Sequence, residues 1–190
     1  MIAAMRTVLG DGEVTIRSLE PADAQPLYEA VRESIPALAR WLPWAHDGYA
    51  RHETEEWIAS CVADWASGAS FPFVIVDAST GAILGGTGVS RIDREHRCAN
   101  LGYWVRSAWT GRGVATRAVR LVADFAFHDL KLTRIEIIAD VDNAASRRVA
   151  EKAGARFECI ARNRVVTRGR VRDAAVYSLV PADLEPAGAG

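Results

Sequence analysis

The chain has 190 residues, of which 49% are apolar and 25% charged. That size and composition suit one globular domain whose core needs no disulfide staples. A formal net charge of −1 gives no general basic face, so no nucleic-acid partner is expected. Cys61, Cys98 and Cys159 are far apart with no CxxC pair, which reads as reduced thiols in a cytoplasmic protein. His46, His52, His96 and His128 lack any metal-ligand spacing, so no metal site is expected. No apolar run reaches the roughly 18 residues of a membrane span, and the N-terminus turns acidic too soon for a secretory signal.

Residues 1–13 read as a lead-in, 14–180 as the domain, and 181–190, rich in Pro, Ala and Gly, as a flexible tail. Val14 to Leu19 alternates apolar and polar, a strand pattern. A helix follows, with Pro21 in its first turn and Leu27 and Val31 at helical spacing. Ile35-Pro36 and Trp41-Leu-Pro-Trp44 read as an irregular segment. Thr54 opens a second helix that Ser67-Gly68 ends, with Trp57 and Trp65 both assigned to its buried side. Phe71 to Val76 and Ala82 to about Arg91 are strands, and Gly85, Gly86 and Gly88 suggest a bulge or a close backbone approach. Asp93 to Arg97 is a hairpin loop, and Ala99 to Arg106 is the next strand. A long helix runs from about Gly113 to His128, then a strand from Arg134 to Asp140. Asn143 to Ala153 is a helix stopped by Gly154. Phe157 to Val166 and Val171 to Val180 form a last hairpin about Arg168-Gly169. The order β-α-α-β-β-β-α-β-α-β-β predicts an α/β (α+β) domain: a mixed, mostly antiparallel sheet flanked by helices, with one parallel crossover.

The chemistry concentrates between Leu101 and Thr116, where a strand enters a glycine-bearing turn that opens the long helix. Helix N-termini carry unpaired N–H groups and partial positive charge, and so bind phosphate. Gly111 and Gly113 clear the approach, Ala115 keeps the next turn small, and Arg112 adds a cation. A diphosphate fits. The Lys-Ser/Thr of a nucleotide P-loop is absent, as are the third glycine and ribose acid of a dinucleotide fold. Taken alone, Gly-x-Gly-x-Ala equally fits a helix packed tightly on a strand.

In context, Thr110-Gly-Arg-Gly113-Val-Ala115 resembles the acetyl-CoA loop of the GCN5-related N-acetyltransferase (GNAT) superfamily, [Q/R]-x-x-G-x-[G/A], with Thr110 departing from the usual Gln or Arg. Gly-Tyr-Trp-Val, Asn143-x-x-Ser146, Glu151-Lys-Ala-Gly154 and Trp41-Leu-Pro-Trp44 resemble its ribosomal-protein-type branch, which acetylates N-terminal Ser or Ala. The resemblance covers residues 14–180. It implies a GNAT fold with a splayed central strand pair, the strand ending at Arg106 diverging from that at 134–140. It further implies acetyl-CoA as co-substrate, its pantetheine arm pairing with backbone of Trp104, Val105 and Arg106. Gly111, Arg112, Gly113, Val114, Ala115 and Thr116 would then hold the diphosphate. The resemblance also makes Asn143 a pantetheine contact and Val105 an oxyanion donor. It makes Ser146, close to the sulfur, the acid that protonates the leaving thiolate. Locally, Asn143 reads equally well as a helix N-cap.

No base stands out. Relatives carry a Glu near the place of Asn100, which leaves Glu136, Glu158, Asp173 or water. Trp41 and Trp44 are candidate lining of the acceptor cleft by the resemblance, or plain packing. Arg162, Arg164, Arg168, Arg170 and Arg172 read as a solvated face, or as one that meets an acidic acceptor or dimer partner. The acceptor is a protein N-terminus or a small amine, with an antibiotic or a metabolite as alternatives. A non-catalytic acyl-CoA-binding regulatory module is the rival of a different class. A homodimer is left open, and no membrane partner is expected.

Overall fold

The computed structural model describes residues 7–184; most of the flexible tail expected at 181–190 lies outside them. Eight strands form one sheet: β1 (Val8–Gly10), β2 (Val14–Arg17), β3 (Phe71–Asp77), β4 (Ile83–Asp93), β5 (Cys98–Val105), β6 (Arg134–Asp140), β7 (Arg156–Thr167) and β8 (Arg170–Leu179). Four helices flank it: α1 (Ala24–Leu38), α2 (Arg51–Ser67), α3 (Val114–His128) and α4 (Ala144–Ala153). The spatial order is β1-β2-β3-β4-β5-β6-β8-β7. Every neighbouring pair is antiparallel except β5 and β6.

Side chains alternate across each strand, and the two cores follow that period. Phe73 and Ile75 face α3 with Ile135, Ile137 and Tyr177. Val74 and Val76 face the other way, against Leu27 of α1 and Ile58 and Cys61 of α2. Trp65 packs edge-on against Phe71 and Phe73 and donates its indole N–H to the Pro72 carbonyl. Trp57, assigned to the same buried side, is 39% exposed instead: its helix face turns to solvent because only Thr54, Ile58 and Cys61 are buried.

Three elements differ from the sequence reading. β1, within the expected lead-in, pairs with β2. α1 runs through Pro36 to Leu38; a proline this close to the end removes one helical donor without another full turn to disrupt. α2 starts three residues before Thr54, at Arg51, where the Glu53 carboxylate accepts from the Ala50 N–H at 2.8 Å.

The pairing of β5 with β6 covers only Cys98↔Arg134, Ala99↔Ile135 and Asn100↔Glu136. Beyond that point the strands part, as the resemblance implied. β5 is held by β4 instead, where Gly85 makes the approach feasible. A Cβ there would sit 2.2 Å from the Trp104 carbonyl oxygen.

Candidate functional site

The gap between β5 and β6 is a cavity of about 780 Å³. It passes through the sheet. Tyr103, Val105, Ala115, Asn143 and Ser146 line it with α3 and α4; Leu38, Trp41, Leu42 and Pro43 line it from the end of α1. Arg164 to Thr167 of β7 also line it, and the β7–β8 turn is tied to α1 where Arg168 donates to the Ala39 carbonyl at 3.1 Å.

The backbone register decides which peptide groups face the gap. The Arg106 N–H donates to the Leu84 carbonyl at 2.7 Å. Antiparallel alternation therefore points the Trp104 and Arg106 groups at β4, and those of Leu101, Tyr103 and Val105 at β6. On β6, the Val141 N–H bonds the Asp173 carbonyl, so by the same alternation Ile138 faces the gap. With the ladder ended at Asn100, these edges are open for strand addition. Of the expected trio, Val105 presents backbone to the gap. Arg106 does not: its N–H serves β4, its carbonyl accepts from the Trp109 N–H, and its guanidinium pairs with Glu33 at 2.6 Å. Trp104 lines the cavity through its side chain, by its register.

Helix α1 fixes the turn that follows. Glu33 accepts from Arg106 and from the Ala108 N–H, and the buried Ser34 hydroxyl accepts from the Ser107 N–H at 3.0 Å. Neither residue stood out in the sequence, because a Glu-Ser pair on an amphipathic helix has no signature of its own. Thr110 donates to the Ser107 carbonyl at 2.9 Å, so the residue that departs from the family pattern closes the turn.

Gly111 (φ 76°) and Gly113 (φ 82°) take left-handed backbone, and a Cβ at either would meet nothing within 4 Å. Gly113 caps α3 with no side-chain hydrogen bond, so the first-turn N–H groups are open to an anion. Gly111, Gly113, Val114, Ala115 and Thr116 line the cavity. Arg112 does not. Its guanidinium stacks on the Trp109 ring at 4.8 Å and faces a smaller hollow beside β2.

Asn143 is the N-cap of α4, its Oδ1 accepting from the Ser146 N–H at 3.1 Å. Both residues line the cavity. The Tyr103 hydroxyl, reaching from β5, donates to the Ser146 carbonyl at 2.9 Å and lies 3.0 Å from Ser146 Oγ. Burial pushes the Tyr103 phenol up to about 12, so it stays protonated at neutral pH. Sequence reasoning missed Tyr103, because its link to Ser146 spans 43 positions. Arg148 and Lys152, a turn and two turns along the same helix, also line the cavity. Trp41 lines it under Arg40, whose guanidinium lies 4.6 Å from the ring. Trp44 packs against Trp104 and Tyr49 outside it.

None of the three candidate bases lines the cavity. Arg134 clamps Glu136 at 2.9 Å and Glu158 at 2.6 Å. The Arg134 hydrogen bonds, with that of Ser178, hold the Glu158 carboxyl down to about 2. Asp173 accepts from the Asn163 N–H. The carboxylate that does line the cavity is Asp140. Burial alone would raise its pKa, but hydrogen bonds from the Asp142 N–H, Arg172 and Thr167 outweigh that and hold it below the usual range. It is a poor proton acceptor. Asn100 also lines the cavity.

The acetyltransferase (GNAT) domain model matches residues 13–156. The chain is 31% identical over 175 residues to the Bacillus subtilis protein named "Putative ribosomal N-acetyltransferase YdaF", covering 90% of this chain and 93% of that one. The structure of Mycobacterium smegmatis RimJ in complex with CoA-disulfide superposes with TM-score 0.85 at 25% identity, covering 96% of this chain and 91% of that one. A Vibrio cholerae structure described as a "putative ribosomal-protein-serine acetyltransferase" superposes with TM-score 0.81 at 26% identity, over 92% of this chain and 98% of that one.

Proposed function

Because the chain belongs to the acetyltransferase (GNAT) family, we propose that it transfers an acetyl group from acetyl-CoA to a primary amine, the N-terminal α-amine of a protein. The observation that carries this is the cavity through the sheet, open along the Val105 edge and ending at an uncapped helix N-terminus.

The fit to acetyl-CoA rests on two features. Left-handed Gly111 and Gly113 leave free space over the α3 N-terminus, where a diphosphate would lie against the N–H groups of residues 113–116. The unpaired β5 edge suits the amide-bearing pantetheine arm. Arg148 and Lys152 would add cations on that side, in place of Arg112 and the guanidinium of Arg106. When bound, the co-substrate supplies a thioester for attack by a neutral amine.

The residues then do three things. The Val105 N–H, free of the β4 ladder, is available to the oxyanion. The Asn143 side chain caps α4 through Oδ1 and keeps its NH₂ for the arm. Ser146 holds a proton for the leaving sulfur and regains one from solvent, which takes the proton the amine loses; the Tyr103 hydroxyl, which donates to the Ser146 carbonyl and lies 3.0 Å from Ser146 Oγ, holds that side chain in place. No cavity carboxylate supports base catalysis. An α-amine has a pKa near 8, so a sizeable fraction is neutral at pH 7 and water can take the remaining proton.

Cytoplasmic residence and a ribosomal acceptor fit this reading; among the described residues no helix is long and apolar enough to cross a membrane. The names of the relatives support a protein acceptor. The test is thiol release from acetyl-CoA with peptides beginning in Ser or Ala, free or N-terminally blocked. Release with free peptides alone supports the reading. Release only with small amines favours a metabolite acceptor, and tight binding of acetyl-CoA without release on any amine favours a regulatory module.

A further inference from the structure

The charged side chains lining the cavity are Arg91, Asp140, Arg148, Lys152 and Arg164. Asp140 is neutralised by Arg172. The four cations make no ion pair and no side-chain hydrogen bond among the described residues. Arg17, Arg106, Arg117 and Arg134 are ion-paired, with Asp23, Glu33, Asp11 and Glu158, whereas Arg97, Arg162 and Arg170 outside the cavity have no ion pair among the described residues. In a chain of net charge −1, the excess in the cavity is local.

Arg148 and Lys152 share α4 with Asn143 and Ser146, on the donor side. Arg91 and Arg164 come from elsewhere, and each is delivered by a break in a ladder. Arg91 itself has φ 52°, inside the register shift between Ser90 and Asp93. Arg164 lies in the shift between Ala161 and Val165, beside Asn163 at φ 52°, whose N–H is held by the Asp173 carboxylate at 2.9 Å. Left-handed backbone is costly for any residue with a Cβ, and bulges re-aim side chains. Both breaks place an arginine in the lining of the same cavity, and both residues are exposed. They therefore suit a segment that leads out of the cavity, beyond the reacting residue.

We propose that Arg91 and Arg164 are specificity residues that bind an acidic side chain following the N-terminal residue of a polypeptide acceptor. A guanidinium takes a carboxylate through two parallel hydrogen bonds, which gives geometric selection as well as charge. This inference rests on the N-terminal acetyltransferase reading above and narrows its substrate to acidic N-termini.

The test compares kcat/KM for three peptides with the same N-terminal Ser, followed by Asp-Glu, Ala-Ala or Lys-Lys, and for free serine. Two exposed ion pairs predict a preference of about 5-fold to 10-fold for the acidic over the neutral peptide, shrinking at 0.5 M salt as charge is screened. Arg164→Glu and Arg91→Glu should invert the order of the acidic and Lys-Lys peptides, and Arg164→Lys should retain part of the acidic preference. Equal kcat/KM for the three peptides in the parent protein overturns the inference and leaves N-terminal acetylation standing. Preference retained in both charge reversals also overturns it. Free serine turned over as well as the acidic peptide shows that an α-carboxylate is the true ligand, which overturns the polypeptide source. No turnover of any peptide, with turnover of small amines, overturns the underlying reading itself.

Discussion

Gly85→Ala tests whether the closeness of β4 and β5 is what sets Val105. The added Cβ would lie 2.2 Å from the Trp104 carbonyl oxygen and 3.0 Å from Val105 Cα. Both obstacles are backbone, so neither can rotate away. Restoring the first distance to at least 3.0 Å moves the strands apart by about 0.8 Å, from 2.2 to 3.0. Overpacking of this kind costs about 1–3 kcal/mol, which for a domain of this size lowers Tm by about 2–12 °C. The same shift displaces the Val105 N–H, and a misplacement near 1 Å can slow turnover by about 100-fold. Thermal unfolding and thiol release from acetyl-CoA read the two effects. Gly102→Ala is the stability control, since a Cβ there meets nothing within 4 Å, and its Tm should be unchanged. Parent-like Tm and turnover in Gly85→Ala would refute the claim that the glycine sets this geometry.

Ser146→Ala should lower kcat by about 100-fold, the usual scale of general-acid catalysis, with little change in acetyl-CoA affinity; equal turnover removes Ser146 from the mechanism. Tyr103→Phe should lower kcat less and cost about 1 kcal/mol of stability for the lost hydrogen bonds, read by denaturant unfolding. Glu158 is depressed to about 2 by Arg134 and Ser178, so its contribution is whole above the unfolded carboxyl value near 4.3 and fades as pH falls toward 2. Glu158→Gln should therefore flatten the stability–pH profile between those limits, and an unaltered slope would exclude the pair. Burial pushes the Cys61 thiol up to about 12, and Cys159 is exposed. A thiol reagent should label Cys159 in the folded protein and Cys61 only after unfolding.

The periodic elements were legible because their cause is local. Val114, Ala118, Val122 and Phe125 lie on one helical face, and all four are buried. Glycines announced the close approach at Gly85 and the α3 entry at Gly113. What escaped is tertiary. Pro36 reads as a breaker until the helix is seen to end two residues later. Whether Arg106 or Val105 faces the gap depends on the phase of the β4–β5 ladder, which no single strand encodes. Tyr103 meets Ser146, and Glu33 meets Arg106, across 43 and 73 positions. The alternating arginines of the last hairpin do not share one face, because its register sets Thr167 opposite Arg170 and Val165, not Arg164, opposite Arg172.

The proposed acetyl transfer to a protein α-amine runs through the gap between β5 and β6. Its most direct test is a peptide with a free N-terminal Ser and one internal Lys, incubated with acetyl-CoA and mapped by fragment mass spectrometry. The expected product carries one acetyl group per peptide, on the N-terminal nitrogen, with one thiol released for each. Acetylation confined to the Lys side chain, or no acetylation at all, would contradict it.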